Sequence, residues 1–244
     1  MLKHVRLQDI LFIDIETAPL QPNFSELDSE MQKLWDYRVH RYRPEEIDLD
    51  DYYFEKAGVY AEFGKTICIS VGFFSRIEEF GEYQFRIKSF YGHQEVEDVL
   101  QPFFELLSLH YNAEKYYLCG HNIRDFDIPF LCRRAVINRL PIPRILDASN
   151  LKPWEIKHLD TMLLWRFGDV RNMTSLHLLC TVLGINTPKN DMEGKEVAAV
   201  YWQQKNLQRI MQYNQKDVIA VAQILLRLKE MPPLDEERHI ICIN

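Results

Sequence analysis

The chain has 244 residues, a length that suits one large domain or two small ones. Hydrophobic residues make up 47% of it and aromatic residues 12%, which is enough to fill a sizeable core and excludes an intrinsically disordered chain. The 36 acidic residues outnumber the 29 basic ones and give a net charge of −7. No global positive charge therefore attracts nucleic acid or an anionic membrane, so a polyanionic partner has to be bound by local cations or by metal ions held on carboxylates.

The cysteines and the apolar segments indicate a cytoplasmic protein. The five cysteines form no Cys-x-x-Cys pair, and the first four lie within apolar segments, which is typical of reduced core residues and not of disulfides or a zinc site. The apolar residues near the N-terminus are interrupted by Asp9 and Asp14 and lack a cleavage site, so we expect no signal peptide. The longest apolar stretches reach about half a membrane span, so we expect no membrane partner.

The apolar and turn patterns predict strands first and helices last. Strands are expected at 9–16, 66–74 and 82–91, followed by a helix at 95–110, a strand at 116–119 and a helix at 128–139. Four more helices are expected at 160–167, 174–184, 196–204 and 206–230. This order predicts an α/β fold in which a mixed central β-sheet is flanked by α-helices.

One polar region interrupts this pattern. Residues 21–62 are interpreted as an insertion within a single domain that spans 1–244. Within the insertion, 25–37 has the pattern of a short helix, and the charged run 43–51 is expected to form a solvated loop. Five tyrosines of the insertion either pack in its interior or stack on the bases of a single strand, namely Tyr37, Tyr42, Tyr52, Tyr53 and Tyr60.

Two carboxylates continue the first buried strand. Asp14 and Glu16 follow the apolar run 11–13, and the two-residue period of a strand places their side chains on the same face. An unpaired buried carboxylate is costly, so it becomes protonated or binds a cation. The carboxyl ends of strands in α/β folds are also where active sites form. The alternative is a strand end that frays into solvent.

The last predicted helix carries an aspartate on its apolar face. At about 100° per residue, Asp217 lies in one stripe with Ile210, Val221 and Ile224. Tyr213 precedes Asp217 by four residues, so both side chains project from the same face. Either the two residues belong to a functional site, or the phenol is a core residue that is hydrogen-bonded to the aspartate.

A third acidic segment connects the strand at 116–119 to the following helix. Asn122 comes just after the strand, at a position where loops present functional residues. Asp127 lies at the predicted helix start, where an aspartate is also a good N-cap. Asp125 competes with Asp127 for a functional role, and the adjacent Phe126 and the helix start favour Asp127.

The four carboxylates together suggest a site for hard cations. Oxygen ligands are those that Mg²⁺ and Mn²⁺ prefer, and the chemistry requires no cysteine. Two such ions roughly 4 Å apart would fit an in-line attack of water on a phosphodiester.

Three motifs of the chain resemble those of the DEDD exonucleases, tyrosine subtype (DEDDy). They are Asp-x-Glu-Thr at 14–17, Asn-x₃-Phe-Asp at 122–127 and Tyr-x₃-Asp at 213–217. Each motif alone is weak, but their order and spacing are most similar to those of the proofreading exonuclease domain of family B DNA polymerases, here without a polymerase. The resemblance implies a ribonuclease H-like fold and the removal of nucleotides from a 3′ end, with release of 5′-monophosphates.

The resemblance also implies a role for each motif residue. Two divalent ions, Mg²⁺ or Mn²⁺, would be held by Asp14, Glu16, Asp127 and Asp217. Tyr213 would hydrogen-bond and orient the attacking water. Substrate contacts would come from Thr17, Asn122 and Phe126, with Asn122 alternatively ordering its own loop. Asp160 lies near the position of an additional aspartate in some relatives, and it is equally suited to cap the helix that follows it.

Two classes of function remain open at this point. The first is an active 3′-5′ exonuclease on single-stranded nucleic acid, with DNA favoured and RNA as the alternative substrate. The second is a catalytically silent nucleic-acid-binding module with the same fold. The presence of all four acids and the tyrosine favours the enzyme. Arg124, Arg133, Arg134, Arg139 and Arg144 either form a positive stripe that contacts phosphates or belong to an ordinary solvated helix face. The loop residues Lys189, Asn190 and Lys195 are expected to border the substrate path.

Overall fold

A mixed β-sheet forms the centre of the structure, a computed structural model that describes residues 2–76, 83–186 and 192–243. Its strands within these ranges are β1 (Ile10–Pro19), β2 (Gly64–Arg76), β3 (Tyr83–Tyr91), β4 (Tyr117–Gly120), β5 (Leu159–Asp160) and β6 (Ile240–Ile243). The strand order is β5-β4-β1-β2-β3-β6. The first three strands pair antiparallel with their neighbours in sequence, whereas β4, β5 and β6 each join a neighbour in parallel.

Helices cover both faces of this sheet. Their bounds are α1 (Ser29–Val39), α2 (Leu49–Lys56), α3 (Gln101–His110), α4 (Asp127–Ile137), α5 (Thr161–Trp165), α6 (Leu176–Leu183), α7 (Val197–Trp202), α8 (Leu207–Leu228) and α9 (Glu236–His239). A π-helical turn, Glu95–Leu100, leads directly into α3. The predicted α/β fold, with a mixed sheet flanked by helices, is thereby confirmed. Within the described ranges, none of the helices is long and apolar enough to cross a membrane.

Alternate residues of β1 face two different cores. Leu11, Ile13 and Ile15 pack against α3 and α4 on one side of the sheet. Phe12 faces the other side, where it packs in the same cluster as Val218 of α8. The side chains of Asp14 and Glu16 continue the Phe12 face by the two-residue period. The first strand therefore directs its two carboxylates toward α8.

Helix α8 approaches the sheet closely because β2 has a glycine beneath it. A Cβ atom at Gly72 would lie 2.3 Å from the Phe85 ring and 2.9 Å from the Val218 side chain, which is closer than real contacts allow. Any larger residue at position 72 would push α8 away from the sheet. The close contact lets a helix from the C-terminal third of the chain reach the end of β1.

The structure differs from the sequence-based prediction at several elements. Strands β5 and β6 are additions, and Asp160 ends β5 and caps α5 instead of lying inside a helix. The expectation of a solvated loop over 43–51 is wrong at its end, because α2 begins at Leu49 and the Asp48 carboxylate accepts a hydrogen bond from the Asp51 amide at 2.9 Å. Capping aspartates and acidic first turns stabilise helices, which explains the acidic run. The predicted strand start at residue 82 and the loop residues 189 and 190 lie outside the described residues.

The insertion at 21–62 has a small core of its own. Trp35 of α1 is fully buried and contacts the ring of Tyr53 edge-on at 5.4 Å between centroids. Tyr52 is also buried in this cluster. Tyr37 and Tyr42, in contrast, are 76% and 75% exposed. Tyr60 is partly buried against the same cluster, so three of the five tyrosines pack in the insertion and two face solvent.

A buried ion pair ties helix α4 to the turn before α3. The Arg134 guanidinium donates to both carboxylate oxygens of Glu95, and its third nitrogen donates to the Ala61 carbonyl at 2.8 Å. The same carboxylate accepts hydrogen bonds from the Thr66 amide at 2.7 Å and the Asn138 side chain at 3.2 Å. The pair therefore fixes α4, the π-helical turn and the start of β2 relative to one another. It also removes Arg134 from the set of arginines available to bind phosphate.

We predict that Arg134→Ala lowers the free energy of unfolding by about 3–5 kcal/mol, because it leaves the Glu95 carboxylate buried and unpaired. Urea unfolding of the variant and the wild type measures this loss. Arg144→Ala is the matched control, since Arg144 is exposed and lies 3.6 Å from the exposed Glu114. That exposed pair should contribute less than about 1 kcal/mol. Equal losses in the two variants would contradict the proposed role of the buried pair.

Candidate active site

Three carboxylates from two distant segments meet at the end of β1. Asp14 and Glu16 lie on β1, and Asp217 lies on α8. Each offers an oxygen, and these three oxygens all lie within 4.8 Å of one another. Glu16 and Asp217 are buried, whereas Asp14 is partly exposed. Asp14 is therefore the member of the cluster that solvent reaches most readily.

A shift in strand pairing coincides with this cluster. Glu16 pairs with Cys68 on β2, but the next residue, Thr17, pairs with Thr66, so Ile67 is an extra residue on β2. Such β-bulges bend a strand and redirect its side chains, and they are common beside active sites. Thr17, the predicted substrate contact, is half-buried directly at the bulge.

Asp127 lies behind the first-strand carboxylates. One of its carboxylate oxygens accepts a hydrogen bond from the Ile15 amide at 3.2 Å, between Asp14 and Glu16. The Asp127 side chain is buried, whereas Asp125 is exposed. The structure therefore brings Asp127 to the cluster and leaves Asp125 facing solvent. Asp127 is also the first residue of α4, and its carboxylate accepts a hydrogen bond from its own backbone amide.

Tyr213 joins the cluster from one helical turn before Asp217. Its side chain is 8% exposed, and its hydroxyl is hydrogen-bonded to the Asp217 carboxylate. Burial, the negative charge of Asp217 and this hydrogen bond together raise the pKa of Tyr213 well above its ordinary value. The phenol therefore stays protonated and donates its single proton to Asp217. Toward a water molecule its oxygen can then only accept a hydrogen bond.

The clustered carboxylates repel one another. Burial and the charges of Asp127 and Asp217 raise the pKa values of Asp14 and Glu16 well above the ordinary range. Burial also raises the pKa of Asp127 to about 7, although the Ile15 amide opposes the shift. Bringing these groups together in ionised form is therefore unfavourable for the protein alone.

Asn214 holds Asp14 in place, a role that the sequence pattern does not predict. The Asn214 side chain is completely buried and donates to the Asp14 carboxylate at 2.6 Å. Its amide oxygen lies 3.5 Å from the Cys68 sulfur, which acts as the donor. Because both ends of the amide are engaged, the orientation of Asn214 is fixed and it directs Asp14 toward the other carboxylates. The helical periodicity of α8 does not distinguish Asn214 from an ordinary polar residue next to the apolar stripe. Its contact with Asp14 becomes apparent only in the folded structure.

Asp160 organises the loop that leads to Asp127. Its buried carboxylate accepts hydrogen bonds from the amides of Asn122 at 3.0 Å and Arg124 at 3.2 Å. It also accepts from Met162 at 3.0 Å and Leu163 at 3.3 Å at the start of α5. With these four bonds Asp160 acts as a structural cap, the second of the two roles considered for it.

Asn122 shapes the same loop through its backbone. Its φ angle is +64°, a left-handed conformation that asparagine tolerates better than most residues. Its carbonyl accepts from the amides of Asp125 at 3.3 Å and Phe126 at 3.0 Å, which forms the turn before α4. The Phe126 ring is half-buried and packs 5.6 Å from the Phe130 ring. Part of the Phe126 ring surface is therefore used for packing.

The donor set of the cluster fits a hard divalent cation. It consists of carboxylate oxygens, which Mg²⁺ and Mn²⁺ favour, and the mutual repulsion that raises the pKa values of Asp14 and Glu16 would be relieved by a bound cation. Asp14, Glu16 and Asp217 would hold the metal, and Asp127 lies next to them on the Ile15 amide. The acidic cluster could thus bind metal, as the sequence suggests.

The chain belongs to a family of exonucleases. Residues 59–243 match the model of a family described as "Predicted 3'-5' exonuclease related to the exonuclease domain of PolB". The matched residues contain Asp127, Tyr213 and Asp217, whereas Asp14 and Glu16 precede them. Comparison with curated proteins gives no match. The predicted resemblance to the exonuclease domain of family B DNA polymerases, and with it the predicted class of enzyme, is confirmed.

The fold agrees with that of a family B polymerase. The structure of the family B DNA polymerase from the hyperthermophilic archaeon Pyrobaculum calidifontis is similar to this chain with a TM-score of 0.54 and 13% sequence identity. The similarity covers 89% of this chain and 24% of the polymerase chain, so the protein spans about a quarter of the length of that polymerase. At this identity the similarity concerns the fold alone. It confirms the ribonuclease H-like fold, and the tyrosine subtype stays a prediction.

We predict that Asp14→Asn raises the melting temperature in the presence of a chelator at pH 8. A carboxyl group whose pKa is raised in the folded state stabilises the protein below its ordinary pKa, about 4, and this contribution is lost as the pH rises through the folded-state pKa. The variant removes one of the repelling charges, and the melting temperature should rise by about 2–4 °C for each kcal/mol of repulsion relieved.

The pH dependence of this difference distinguishes repulsion from a change in packing. The gap between variant and wild type should close toward pH 4, where the carboxyl groups of the wild type are protonated. Asp125→Asn is the matched control, because Asp125 is exposed and its replacement should leave the melting temperature unchanged. A gap of the same size at every pH would contradict the electrostatic explanation.

We also predict that Asn214→Ala weakens metal binding about 10- to 100-fold, because Asp14 loses the hydrogen bond that orients it. The Mn²⁺ concentration that gives half of the maximal thermal stabilisation measures this affinity without an activity assay. Gln215→Ala is the control on the same helix, since Gln215 donates to Ser89 at 2.9 Å and not to a carboxylate of the cluster. Equal Mn²⁺ dependence in both variants would show that Asn214 does not position Asp14.

Proposed function

We propose that the protein is a metal-dependent 3′-5′ exonuclease that shortens single-stranded nucleic acid, DNA in preference to RNA, and releases 5′-monophosphates. The observation that carries this proposal is the meeting of Asp14, Glu16 and Asp217 within 4.8 Å at the open end of β1, beside Tyr213. Membership of the exonuclease family supports the reaction class. The similarity to a DNA polymerase supports DNA as the substrate.

The residues of the cluster divide the chemical tasks. Asp14, Glu16, Asp127 and Asp217 would hold two Mg²⁺ or Mn²⁺ ions. Bound divalent ions lower the pKa of an attacking water and neutralise charge on the phosphate and on the leaving oxygen. Asn214 and the Ile15 amide keep Asp14 and Asp127 in position for this task.

Tyr213 acts on the attacking water. Because its proton is donated to Asp217, the phenol oxygen has lone pairs with which it would accept a hydrogen bond from the water. This contact would help to orient the water for attack on the phosphorus atom. Burial raises the pKa of Tyr213 and so favours the protonated phenol, which suits a role in orienting the water.

A gel time course tests the proposal. Single-stranded DNA and RNA of the same sequence, labelled at the 5′ end, are incubated with wild-type protein in Mg²⁺, Mn²⁺ or EDTA. We expect a ladder that shortens from the 3′ end, faster on DNA than on RNA, and no cleavage in EDTA. Asp14→Ala and Asp217→Ala should lose activity while remaining folded. Tyr213→Phe should retain part of it, because only the orientation of the water is lost.

The same experiment separates the alternatives. Intact DNA and RNA under every condition, with binding still visible in a gel shift, would indicate a catalytically silent binding module. Faster degradation of RNA would make the protein an exoribonuclease and would contradict the DNA preference. Near-normal activity of purified Asp14→Ala would show that the carboxylate cluster is not the catalytic site.

A further inference from the structure

A large cleft separates the insertion from helix α4. Its volume is about 1070 Å³, and it is lined on one side by α1 and the residues that follow it and on the other by Ile137 of α4. Leu20 and Phe63, which connect the insertion to the sheet, also line the cleft. The carboxylate cluster does not use any of these residues, so the cleft is a separate feature of the fold.

One face of α1 forms a wall of the cleft. Met31, Leu34 and Arg38 line it, at the spacing of three to four residues that places side chains on one helical face. Trp35 and Val39 are buried in the core of the insertion, and Met31 lies at the edge of that core. The helix is thus anchored by its core face and presents a second face that has no covering element in the described residues.

The mouth of the cleft combines exposed aromatic rings with positive charge. Tyr37 and Tyr42 are each about three-quarters exposed, and Arg38, His40 and Arg41 lie between them in sequence and are also exposed. The Arg38 guanidinium rests over the Tyr60 ring at 4.9 Å, which holds it at the cleft wall. The acid that lines the cleft is Glu62, and the Arg134 charge is already compensated by Glu95. Exposed rings alternating with cations are the combination that binds single-stranded nucleic acid, since bases stack and phosphates need positive partners.

The cleft lies along the same strand as the carboxylates. Leu20 comes directly after β1, and its amide donates to the Phe63 carbonyl at 2.9 Å, so the strand continues into the cleft wall. At about 3.3 Å per residue, the four residues from Glu16 to Leu20 span about 13 Å. The end of β1 therefore connects the carboxylate cluster to the wall of the cleft.

We infer that this cleft holds the part of a single-stranded substrate that lies upstream of the scissile phosphate. Tyr37 and Tyr42 stack on bases, and Arg38 and Arg41 contact phosphates. The inference rests on the proposed function and adds a substrate-binding surface to it. Its tyrosines and arginines, Tyr37, Arg38, Arg41 and Tyr42, all lie in the insertion, before the family match begins at residue 59.

Substrates of different length test this inference. Wild type, Tyr37→Ala/Tyr42→Ala and Arg41→Glu are assayed on a dinucleotide, on a DNA strand about twelve nucleotides long and on the p-nitrophenyl ester of thymidine 5′-monophosphate. For the long strand we expect KM to rise about 10- to 100-fold in the double variant, with kcat unchanged. The dinucleotide and the ester do not reach the cleft, so their kinetics should not change. Arg41→Glu should also weaken the salt dependence of binding to the long strand.

Two controls remove equally exposed side chains elsewhere. Leu109→Ala removes an apolar side chain of α3 that is 76% exposed. Lys115→Glu reverses an exposed charge just before β4, at the end of the sheet opposite to the carboxylates. Both controls should bind the long strand as the wild type does. Thermal unfolding of every variant shows whether the fold is retained.

The outcomes distinguish this inference from the proposed function. An active wild type with an unchanged KM for the long strand in Tyr37→Ala/Tyr42→Ala would overturn the inference and leave the exonuclease in place. An equal loss on the dinucleotide and on the long strand would also overturn it. If the wild type cleaves none of the three substrates, the proposed function fails. Fluorescence anisotropy of the labelled strand in EDTA then still measures whether the tyrosines contribute to binding.

Discussion

The packing of helix α8 across strand β1 is the contact on which the rest of the site depends. Asp14 and Asn214 are 200 residues apart in sequence. The Asn214 side-chain amide nevertheless donates a hydrogen bond of 2.6 Å to the Asp14 carboxylate. Gly72 makes this approach possible, because any side chain at that position would collide with Val218 of the helix. The resulting helix position serves several tasks at once. It brings Asp217 to the first-strand carboxylates, presents Tyr213 and supplies the amide that orients Asp14.

The same packing concentrates negative charge that the protein alone cannot neutralise. Raised pKa values at Asp14, Glu16 and Asp127 show that the fold tolerates these groups at a cost in stability. Functional sites commonly carry such strain, while the surrounding core supplies the stability. Here the core lies directly behind the site, where Ile13 and Ile15 are buried between the sheet and α4. The tightly packed core therefore prevents the carboxylates from moving apart to reduce their repulsion.

Much of the fold and of the candidate site could be predicted because strong periodic patterns determine them. Alternation in the first strand puts Asp14 and Glu16 on one face, and helical periodicity puts Tyr213 and Asp217 on another. The two-residue strand β5 could not be predicted, because a strand this short is defined by its pairing and carries no pattern of its own. The role of Asn214 could not be predicted either, because it depends on a hydrogen bond to Asp14, which lies two hundred residues away in sequence. The sequence could identify the tyrosines of the insertion as candidates for base stacking. Only the structure shows that Tyr53 is buried whereas Tyr37 is exposed.

The order of the site residues along the chain also constrains how the protein is made. Domains begin to fold from the N-terminus while synthesis continues. The first-strand carboxylates leave the ribosome early, whereas Asp217 belongs to a helix that is synthesised almost two hundred residues later. A nascent chain therefore cannot assemble the three-carboxylate cluster until α8 has emerged and docked on the sheet. Translation itself thus delays the site until nearly all of the fold that supports it exists, and incomplete chains lack the full ligand set.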